Sequence, residues 1–117
     1  MQSPKPYREE RPWGEFVEFI RNISSTVKII TVKSGESLSL QTHSKRDEFW
    51  RILSGEGNVE IDDKRISAKI GDTHFIPRTT KHRIEAGNTD LVVLEISLGD
   101  FDEKDIVRLE DKYGRAR

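Results

Sequence analysis

Four side chains that can bind a metal ion lie at regular spacing in the middle of the sequence. Gln41 and His43 are two residues apart, Glu48 follows five residues later, and His82 begins a later apolar segment. One amide oxygen, two imidazoles and one carboxylate form a mixed nitrogen and oxygen donor set. Such a set suits Zn, Fe(II), Mn, Co or Ni better than Ca or Mg.

The alternation of residue types predicts which way these side chains point. From Leu38 to His43, Leu38 and Leu40 lie on one face and Ser39, Gln41 and His43 on the other, as in a half-buried strand. Alternate residues of a small β-barrel point into its lumen, so Ser39, Gln41 and His43 are expected to face inward together. Glu48 is in phase with Trp50 on the next strand. A cross-strand polar pair of His and Glu without any metal is the simpler alternative.

The rest of the chain reads as short strands separated by turn residues. The strand patterns are rich in β-branched and aromatic residues, and Gly, Pro, Asp and Asn stand between them. The expected strands are GEFVEFIRN, STVKIITVKSG, SLSLQTH, EFWRILSG, GNVEID, RISAKI, THFIP, HRIEAG and LVVLEISLG. About nine short strands at this spacing predict an all-β sandwich or barrel.

The two ends of the chain differ from this pattern. Residues 1–11 are polar and hold two of the four prolines, which predicts a mobile or draped N-terminal arm. Residues 12–117 are expected to form one domain. Trp13, between a proline and a glycine, is expected to anchor the arm. Residues from about 100 onward fit a short helix plus a strand, and the pattern does not choose between them.

Composition excludes several classes of protein. The 117 residues include 20 basic and 21 acidic side chains, so no charge excess indicates a nucleic-acid partner. There is no cysteine, which excludes disulfides and thiolate metal sites. No segment resembles a signal peptide or a membrane span. We therefore expect a cytoplasmic protein without nucleic-acid or membrane partners.

The metal-binding side chains also lie within two glycine-bounded motifs. The first motif consists of Gly35, Gln41, His43, Glu48 and Gly55, and the second consists of Gly71, Pro77 and His82. This spacing resembles that of the cupin family. The resemblance implies a small single-domain cupin, a double-stranded β-helix or jelly-roll barrel. The chain departs from the pattern at Thr79, where cupins usually have glycine.

Longer blocks narrow the resemblance. The stretch SLQTHSKRDEFW fits the pattern S-L-Q-x-H-x-x-R-x-E-x-W, and the chain also contains RPWG and DIVRLEDKYGR. Over residues 11–115 it resembles the type II mannose-6-phosphate isomerase domain, found as the C-terminal domain of bifunctional enzymes with mannose-1-phosphate guanylyltransferase activity. The resemblance implies interconversion of mannose 6-phosphate and fructose 6-phosphate. These residues contain no glycine-rich phosphate loop, so we expect no guanylyltransferase activity from them.

The resemblance also implies a role for each site residue. One divalent transition metal, with Zn as the first expectation and Mn, Co, Ni or Fe as alternatives, would be held by Gln41, His43, Glu48 and His82. It would act as a Lewis acid on the developing oxyanion. Arg46 and Arg108 are expected to be catalytic and to contact the sugar phosphate, Arg46 at the mouth of the pocket and Arg108 on the phosphate. Lys28 and Ser39 are expected to line the pocket, and the chain is expected to be a homodimer.

Some alternatives stay open at this stage. A salt bridge with Glu110 or Asp111 is the structural alternative for Arg108. No residue is assigned as the base, because both cluster histidines and Glu48 are used as ligands and His74 fits a structural role better. The whole chain could instead be a non-catalytic cupin that binds a sugar or a metal. It could also be another small metal-dependent cupin enzyme such as an oxygenase.

Overall fold

The computed structural model describes residues 6–111, and this part of the chain forms eleven strands and no helix. The strands are β1 (Tyr7–Arg11), β2 (Gly14–Glu18), β3 (Ser25–Val32), β4 (Leu40–Thr42), β5 (Arg46–Ser54), β6 (Gly57–Ile61), β7 (Lys64–Ala68), β8 (Thr73–Ile76), β9 (His82–Ala86), β10 (Leu91–Gly99) and β11 (Val107–Glu110). The all-β prediction is confirmed. Among the described residues, no helix exists that is long and apolar enough to cross a membrane.

The strands form two main sheets and a separate hairpin. One sheet has the order β3-β10-β5-β8, the other has the order β11-β4-β9-β6-β7, and β1 pairs with β2 alone. The two main sheets share one apolar core, which consists of Val32, Trp50, Ile52, Val59, Ala68, Ile76, Ile84, Leu91 and Val93. Because these residues come from both sheets, the sheets pack face to face.

The inward-facing residues change from apolar to polar along the strands. In the register of β10 with β5, Val93 lies opposite Ile52, Glu95 opposite Trp50, and Ser97 opposite Glu48. All of these side chains are buried. One end of the space between the sheets is therefore a dry core, and the other end is lined by polar groups that need partners.

A second apolar cluster covers the opposite face of the four-stranded sheet. Phe49, Ile96 and Leu98 are buried there against Phe19, Ile20 and Phe75. Residues 19 and 20 follow the hairpin, so the chain crosses the outer face of this sheet before it enters β3. Trp50 lies in the first cluster and Phe49 in the second, so both are core residues.

The structure differs from the sequence prediction at three places. The segment SLSLQTH forms only the short strand β4, and before it Ser37 makes an isolated antiparallel bridge with Glu85 of β9. Residues 107–110 form β11 on the edge beside β4, which decides the tail in favour of a strand. The expected N-terminal arm contains β1, which pairs with β2, and Trp13 is 73% exposed and so does not anchor it. Residues 1–5 and 112–117, including Tyr113, lie outside the described part.

Two turns show how the motifs position the site. Gly55 has φ +83°, and an added Cβ there would collide with the carbonyl oxygen of Asp90, so only glycine fits. Thr79 occupies the position where glycine is usual, and it has the left-handed φ of 68°. Its N–H donates to the carbonyl of His43 at 2.6 Å. Threonine in place of the usual glycine therefore still forms the left-handed turn.

Candidate metal centre

Three of the predicted ligands converge on one point inside the barrel. His43 follows β4, Glu48 lies in β5, and His82 begins β9. Each of them is buried, and their ligand atoms all lie within 4.8 Å of one another. Nε2 of His43 is 3.4 Å from Oε2 of Glu48, and Nε2 of His82 is 3.4 Å from Oε1 of the same carboxylate. We call these three residues the triad.

Main-chain carbonyls fix the orientation of both imidazoles. Nδ1 of His43 lies 2.6 Å from the carbonyl oxygen of Asp105, and Nδ1 of His82 lies 2.8 Å from that of Thr80. A carbonyl only accepts, so each Nδ1 carries a proton, and in the neutral form of each ring Nε2 keeps its lone pair. This arrangement is typical of histidines that bind metals through Nε2.

The triad presents acceptor atoms without enough donors. Oε1 of Glu48 and Nε2 of His82 are both buried, and neither has a hydrogen-bond partner among the described residues. Buried polar atoms are nearly always satisfied, so this pair requires another explanation. A cation between the three side chains would satisfy both atoms. The residues present therefore fit a divalent metal ion with nitrogen and oxygen ligands.

Gln41 lies beside the triad on β4, opposite His82 in the sheet register. Its Oε1 accepts a hydrogen bond from Oγ of Ser39 at 2.8 Å, and its Nε2 lies 3.5 Å from Nε2 of His43. A half-turn of the terminal amide exchanges the two atoms and presents the oxygen to the triad. Gln41 is thus placed next to the three other predicted ligands.

Arg46 lies deeper than the pocket mouth where the sequence places it. Its side chain is buried, with Nε donating to Oε2 of Glu48 at 3.1 Å and one terminal nitrogen 3.2 Å from Nε2 of His43. The other terminal nitrogen donates to the carbonyl of Asp102 at 3.2 Å. The guanidinium therefore supplies one positive charge at the edge of the triad.

Burial and neighbouring charges set the protonation of the site. Burial lowers the pKa of His43 below its usual value, and the Glu48 carboxylate opposes this only in part. Burial acts to raise the pKa of Glu48, but interaction with the neighbouring imidazole of His82 outweighs it and lowers that pKa to about 2. A neutral imidazole and an ionised carboxylate are the forms that bind a metal.

A cavity of about 180 Å³ opens beside the triad. Every predicted site residue except the buried Glu48 and His82 lines it, namely Lys28, Ser39, Gln41, His43, Arg46 and Arg108. Three of these side chains are cationic, and two carboxylates, Glu95 and Glu103, complete the polar lining. The cavity therefore suits a small polar molecule with negative charge.

A comparison with protein families fits this geometry. Residues 5–111 match the family described as "Mannose-6-phosphate isomerase C-terminal". The chain belongs to this family. Among its relatives are a mannose-1-phosphate guanylyltransferase of Klebsiella pneumoniae, 40% identical over 96% of this chain and 24% of that protein, and the alginate biosynthesis protein AlgA of Pseudomonas aeruginosa, 40% identical over 91% of this chain and 22% of that protein. The chain thus spans about a quarter of the length of these relatives.

The solved structures confirm the fold of this mannose-6-phosphate isomerase C-terminal domain. A cupin protein from Bacteroides fragilis superposes with a TM-score of 0.61 and 26% identity, over 68% of this chain and 70% of that one. The predicted cupin fold is therefore confirmed.

Arg108 has one buried donor that no described residue accepts from. It lies on β11 opposite Gln41 and lines the cavity. Its Nε is buried and has no hydrogen-bond partner among the described residues. Glu110, one of the expected structural partners, instead lies 3.5 Å from a terminal nitrogen of Arg83. One donor of Arg108 is thus left for another acceptor.

The sequence analysis missed the segment 100–106, which closes over the cavity. The ring of Phe101 lies between Nζ of Lys28, 4.3 Å from the ring centre, and the guanidinium carbon of Arg46, at 4.5 Å. Nζ of Lys28 also lies 3.2 Å from a carboxylate oxygen of Glu103. No residue pattern marks this loop in the sequence, because its contacts depend on how β10 and β11 bring it over the site.

Asp105 anchors this segment to the triad. Its carboxylate accepts hydrogen bonds from the N–H and hydroxyl of Ser44, at 2.9 and 2.8 Å, and from the N–H of Lys45 at 2.9 Å. Desolvation acts to raise the pKa of Asp105, but these hydrogen bonds outweigh it and lower the pKa to about 2. The anchored backbone then holds His43 through the Asp105 carbonyl.

Glu95 is a further residue of the site that the sequence analysis missed. It is buried on β10, and Nε1 of Trp50 donates to its Oε1 at 3.3 Å. Burial, together with the charge of Glu48, raises the pKa of Glu95. A signal was present in the sequence, because a carboxylate in the inward phase of the apolar strand LVVLEISLG needs a reason to be buried.

His74 does not belong to the triad, and its structural role stays a prediction. It is on β8 opposite Trp50, and burial lowers its pKa.

Proposed function

We propose that this domain is a metal-dependent aldose–ketose isomerase that interconverts mannose 6-phosphate and fructose 6-phosphate. The observation that carries the proposal is the triad of buried acceptor atoms beside a small cavity with three cationic side chains. Membership in the mannose-6-phosphate isomerase C-terminal family supplies the substrate. The proposal includes a cytoplasmic homodimer.

The metal belongs to the proposal as well. His43, Glu48 and His82 would hold one divalent ion, with Gln41 as the fourth ligand after rotation of its amide. Zn is the first choice, and Mn, Co, Ni or Fe(II) suit the same donors. When bound, the ion supplies a Lewis acid for the oxyanion that develops at C1 or C2.

The cationic side chains would bind and orient the substrate. Arg108 offers its unpartnered Nε to the phosphate, and a guanidinium can present paired donors to phosphate oxygens. Lys28 lies across the cavity opening with Phe101 against its ammonium group. Arg46 is closer to the triad and is placed to contact the sugar oxygen that becomes negatively charged. Ser39 contacts the amide of Gln41, and its hydroxyl would accept from the amide nitrogen once the oxygen has rotated toward the metal.

Glu95 is the group best placed to move the proton. Isomerisation removes the proton from C2 of the aldose and returns it to C1, while the hydroxyl proton of C2 moves to the carbonyl oxygen of C1. This requires one base that faces the substrate and is not a metal ligand. Among the described carboxylates that line the cavity, Glu95 is buried next to the triad, whereas Glu103 is exposed and paired with Lys28. Burial and the charge of Glu48 raise the pKa of Glu95 to about 8, so it would act as the base in its ionised form, whose share grows as the pH rises toward 8.

Two other functions would use the same site. A non-catalytic domain would bind a sugar phosphate or a metal without turnover. Another metal-dependent cupin enzyme, such as an oxygenase, would use the triad with a different substrate. The three cationic residues in the cavity favour a phosphorylated ligand over an apolar one.

A coupled assay decides between the three. The domain is purified without chelator, loaded in turn with Zn, Mn, Co, Ni or Fe(II), and supplied with mannose 6-phosphate, while fructose 6-phosphate is detected enzymatically. We expect turnover with at least one metal and none after dialysis against chelator. Saturable binding of mannose 6-phosphate without turnover would favour the binding domain. Oxygen consumption in place of isomerisation would favour the oxygenase.

A further inference from the structure

Asp47 of β5 is a buried carboxylate to which the proposed function gives no role. It precedes Glu48 in the chain, so its side chain points to the opposite face of the sheet. In the register with β10 it lies opposite Leu98, which belongs to the second apolar cluster. An aspartate is almost never buried unless strong donors compensate its charge, so a carboxylate at this position requires a reason.

Arg78, in the turn that leads to β9, supplies donors to Asp47. The N–H of Arg78 donates to Oδ1 of Asp47 at 2.7 Å. The guanidinium makes longer contacts, from Nε to Oδ1 at 3.4 Å and from one terminal nitrogen to Oδ2 at 3.3 Å. The main-chain bond has the short length of a charge-assisted hydrogen bond, whereas the Arg78 side chain is exposed and its ion pair contributes little. Asp47 therefore mainly fixes the backbone at Arg78.

The turn that contains Arg78 contacts both histidines of the triad. The N–H of Thr79, the next residue, donates to the carbonyl of His43 at 2.6 Å. The carbonyl of Thr80, one residue further, accepts from Nδ1 of His82 at 2.8 Å. Thr79 has the left-handed φ of 68°, which is costly for a β-branched residue, so contacts outside the turn must maintain its shape. The three consecutive residues of the turn thus contact β5, the residue after β4, and β9, in that order.

We propose that Asp47 is the positioning residue for His82 of the triad. Because Asp47 holds the N–H of Arg78, it keeps the carbonyl of Thr80, two residues further on, in line with Nδ1 of His82. That carbonyl keeps the proton on Nδ1, and in the neutral ring Nε2 is then free to bind an ion. The inference rests on the proposed function insofar as the triad holds a metal, and it adds no ligand to the site.

Three substitutions separate the main-chain hydrogen bond from the charge of Asp47. Asp47→Ala removes the acceptor and the charge together. Asp47→Asn removes the same charge but keeps an oxygen that can accept from the N–H of Arg78. Arg78→Ala removes the guanidinium and leaves the N–H in place. If Asp47 acts by positioning, only Asp47→Ala should disturb His82, and Asp47→Asn should restore most of what the alanine variant loses.

The first experiment titrates the full chain with Co²⁺, whose visible absorption bands report the geometry of its ligands. Asp47→Ala should weaken binding at least about tenfold, the lower end for loss of a group that orients a ligand, and should change the bands. Asp47→Asn and Arg78→Ala should stay close to the wild type.

The matched control for this titration is Asp90→Ala. Asp90 also accepts from a main-chain N–H, that of Ser34 at 2.9 Å, but it lies beside Gly55 at the other end of β5. Its substitution should leave Co²⁺ affinity unchanged. An Asp47→Ala protein with the affinity and bands of the wild type, or an Asp47→Asn protein as impaired as Asp47→Ala, would overturn the proposal.

The second experiment uses metal-free protein, so its outcome is separate from that of the isomerase proposal. At a pH at which the imidazoles are neutral, the ¹⁵N chemical shifts of the ring show which nitrogen of His82 carries the proton. The wild type and Asp47→Asn should show the proton on Nδ1, and Asp47→Ala should show a mixture of both forms. His74, outside the triad, should keep its ring shifts in every variant.

Two results of this experiment are decisive. Identical His82 ring shifts in Asp47→Ala and the wild type would overturn the proposal, whatever the metal content. The expected pattern in a wild type that binds no Co²⁺ would support the role of Asp47 and count against the isomerase proposal alone.

Discussion

Nε2 of His82 lies 3.4 Å from Oε1 of Glu48, and neither atom has a hydrogen-bond partner among residues 6–111. The carbonyl of Thr80 holds a proton of His82 on Nδ1, so in the neutral form of the ring a lone pair on Nε2 faces the carboxylate oxygen in a buried site. Leaving such atoms unsatisfied costs about 1–3 kcal/mol each. A bound cation removes this cost, and the domain should therefore be more stable with metal than without it.

Removal of a triad side chain should release the metal. In His82→Ala and Glu48→Ala, one of three charged or strongly donating ligands is lost, and most bound metal should disappear from protein purified without chelator. His74→Ala is the matched control, since His74 is a half-buried histidine outside the triad. Elemental analysis measures the content. Full occupancy in both triad variants would place the metal elsewhere.

Metal should leave the site as the pH falls below about 6. An imidazole must be neutral to act as a ligand, and its unperturbed pKa is about 6.5. Burial lowers the pKa of His43, so His43 stays neutral in the folded chain below 6.5, while the unfolded chain takes up the proton. Stability from this group is present above about 6.5 and is lost as the pH falls through that lowered pKa. Chelator-detected release that stays flat from pH 8 to 4 would rule out histidine ligands.

Arg108→Ala should reduce kcat/KM for mannose 6-phosphate without loss of metal. Loss of a charge-assisted hydrogen bond costs about 1.5–3 kcal/mol, which corresponds to roughly a tenfold to hundredfold decrease. Arg108→Lys should recover only part, because lysine lacks the paired donors. Arg65→Ala, at an exposed arginine on β7, is the control. If Arg108→Ala keeps full activity, the phosphate contact belongs to Arg46 instead.

Glu95→Gln should decrease kcat strongly while metal content stays the same. The amide keeps the shape of the side chain and can still accept from Trp50, but it cannot carry the proton between C2 and C1. Loss of a general base costs about 10²–10⁴ in rate. Glu103→Gln, at the other carboxylate of the cavity, should change kcat much less. A Glu95→Gln enzyme with kcat near that of the wild type would remove Glu95 from the proposed mechanism.

Thr79→Gly should stabilise the domain. A β-branched residue with φ 68° is strained, at a cost on the order of 1–3 kcal/mol, whereas glycine adopts this conformation freely. After the larger backbone entropy of glycine in the unfolded chain is subtracted, a gain of about 1 kcal/mol remains. Thr80→Gly is the control and should destabilise, because Thr80 does not have positive φ. Urea unfolding of the three proteins measures the difference, and a less stable Thr79→Gly variant would contradict it.

The strands and the triad could be predicted from the sequence because both follow short-range patterns. The alternation along β4 and β5 determines which side chains face inward, and the motif spacing connects His43 and Glu48 with His82. Such patterns survive in a single sequence because a shift of one residue would move every side chain to the other face of the sheet.

The remaining parts of the site depend on contacts between distant segments. Asp105 reaches Ser44 across 61 positions of sequence, and no local pattern announces such a contact. The position of the Arg46 side chain also depends on tertiary contacts, since it turns toward Glu48 and not toward the cavity mouth. The sequence marks Glu95 as a carboxylate in the inward phase of an apolar strand. Only its neighbours in the cavity indicate a chemical role for it.

The main-chain carbonyls that hold the two imidazoles have a consequence for how this domain tolerates genetic change. Substitution of Thr80 changes a side chain but leaves the carbonyl that His82 uses, whereas Asp105 also anchors its own backbone through its carboxylate. The geometry of His82 is therefore buffered against point substitution at its supporting position. A single inserted or deleted residue in either connecting segment would displace the carbonyl and turn the ring. These loops are therefore more sensitive to a change of length than to a change of residue type.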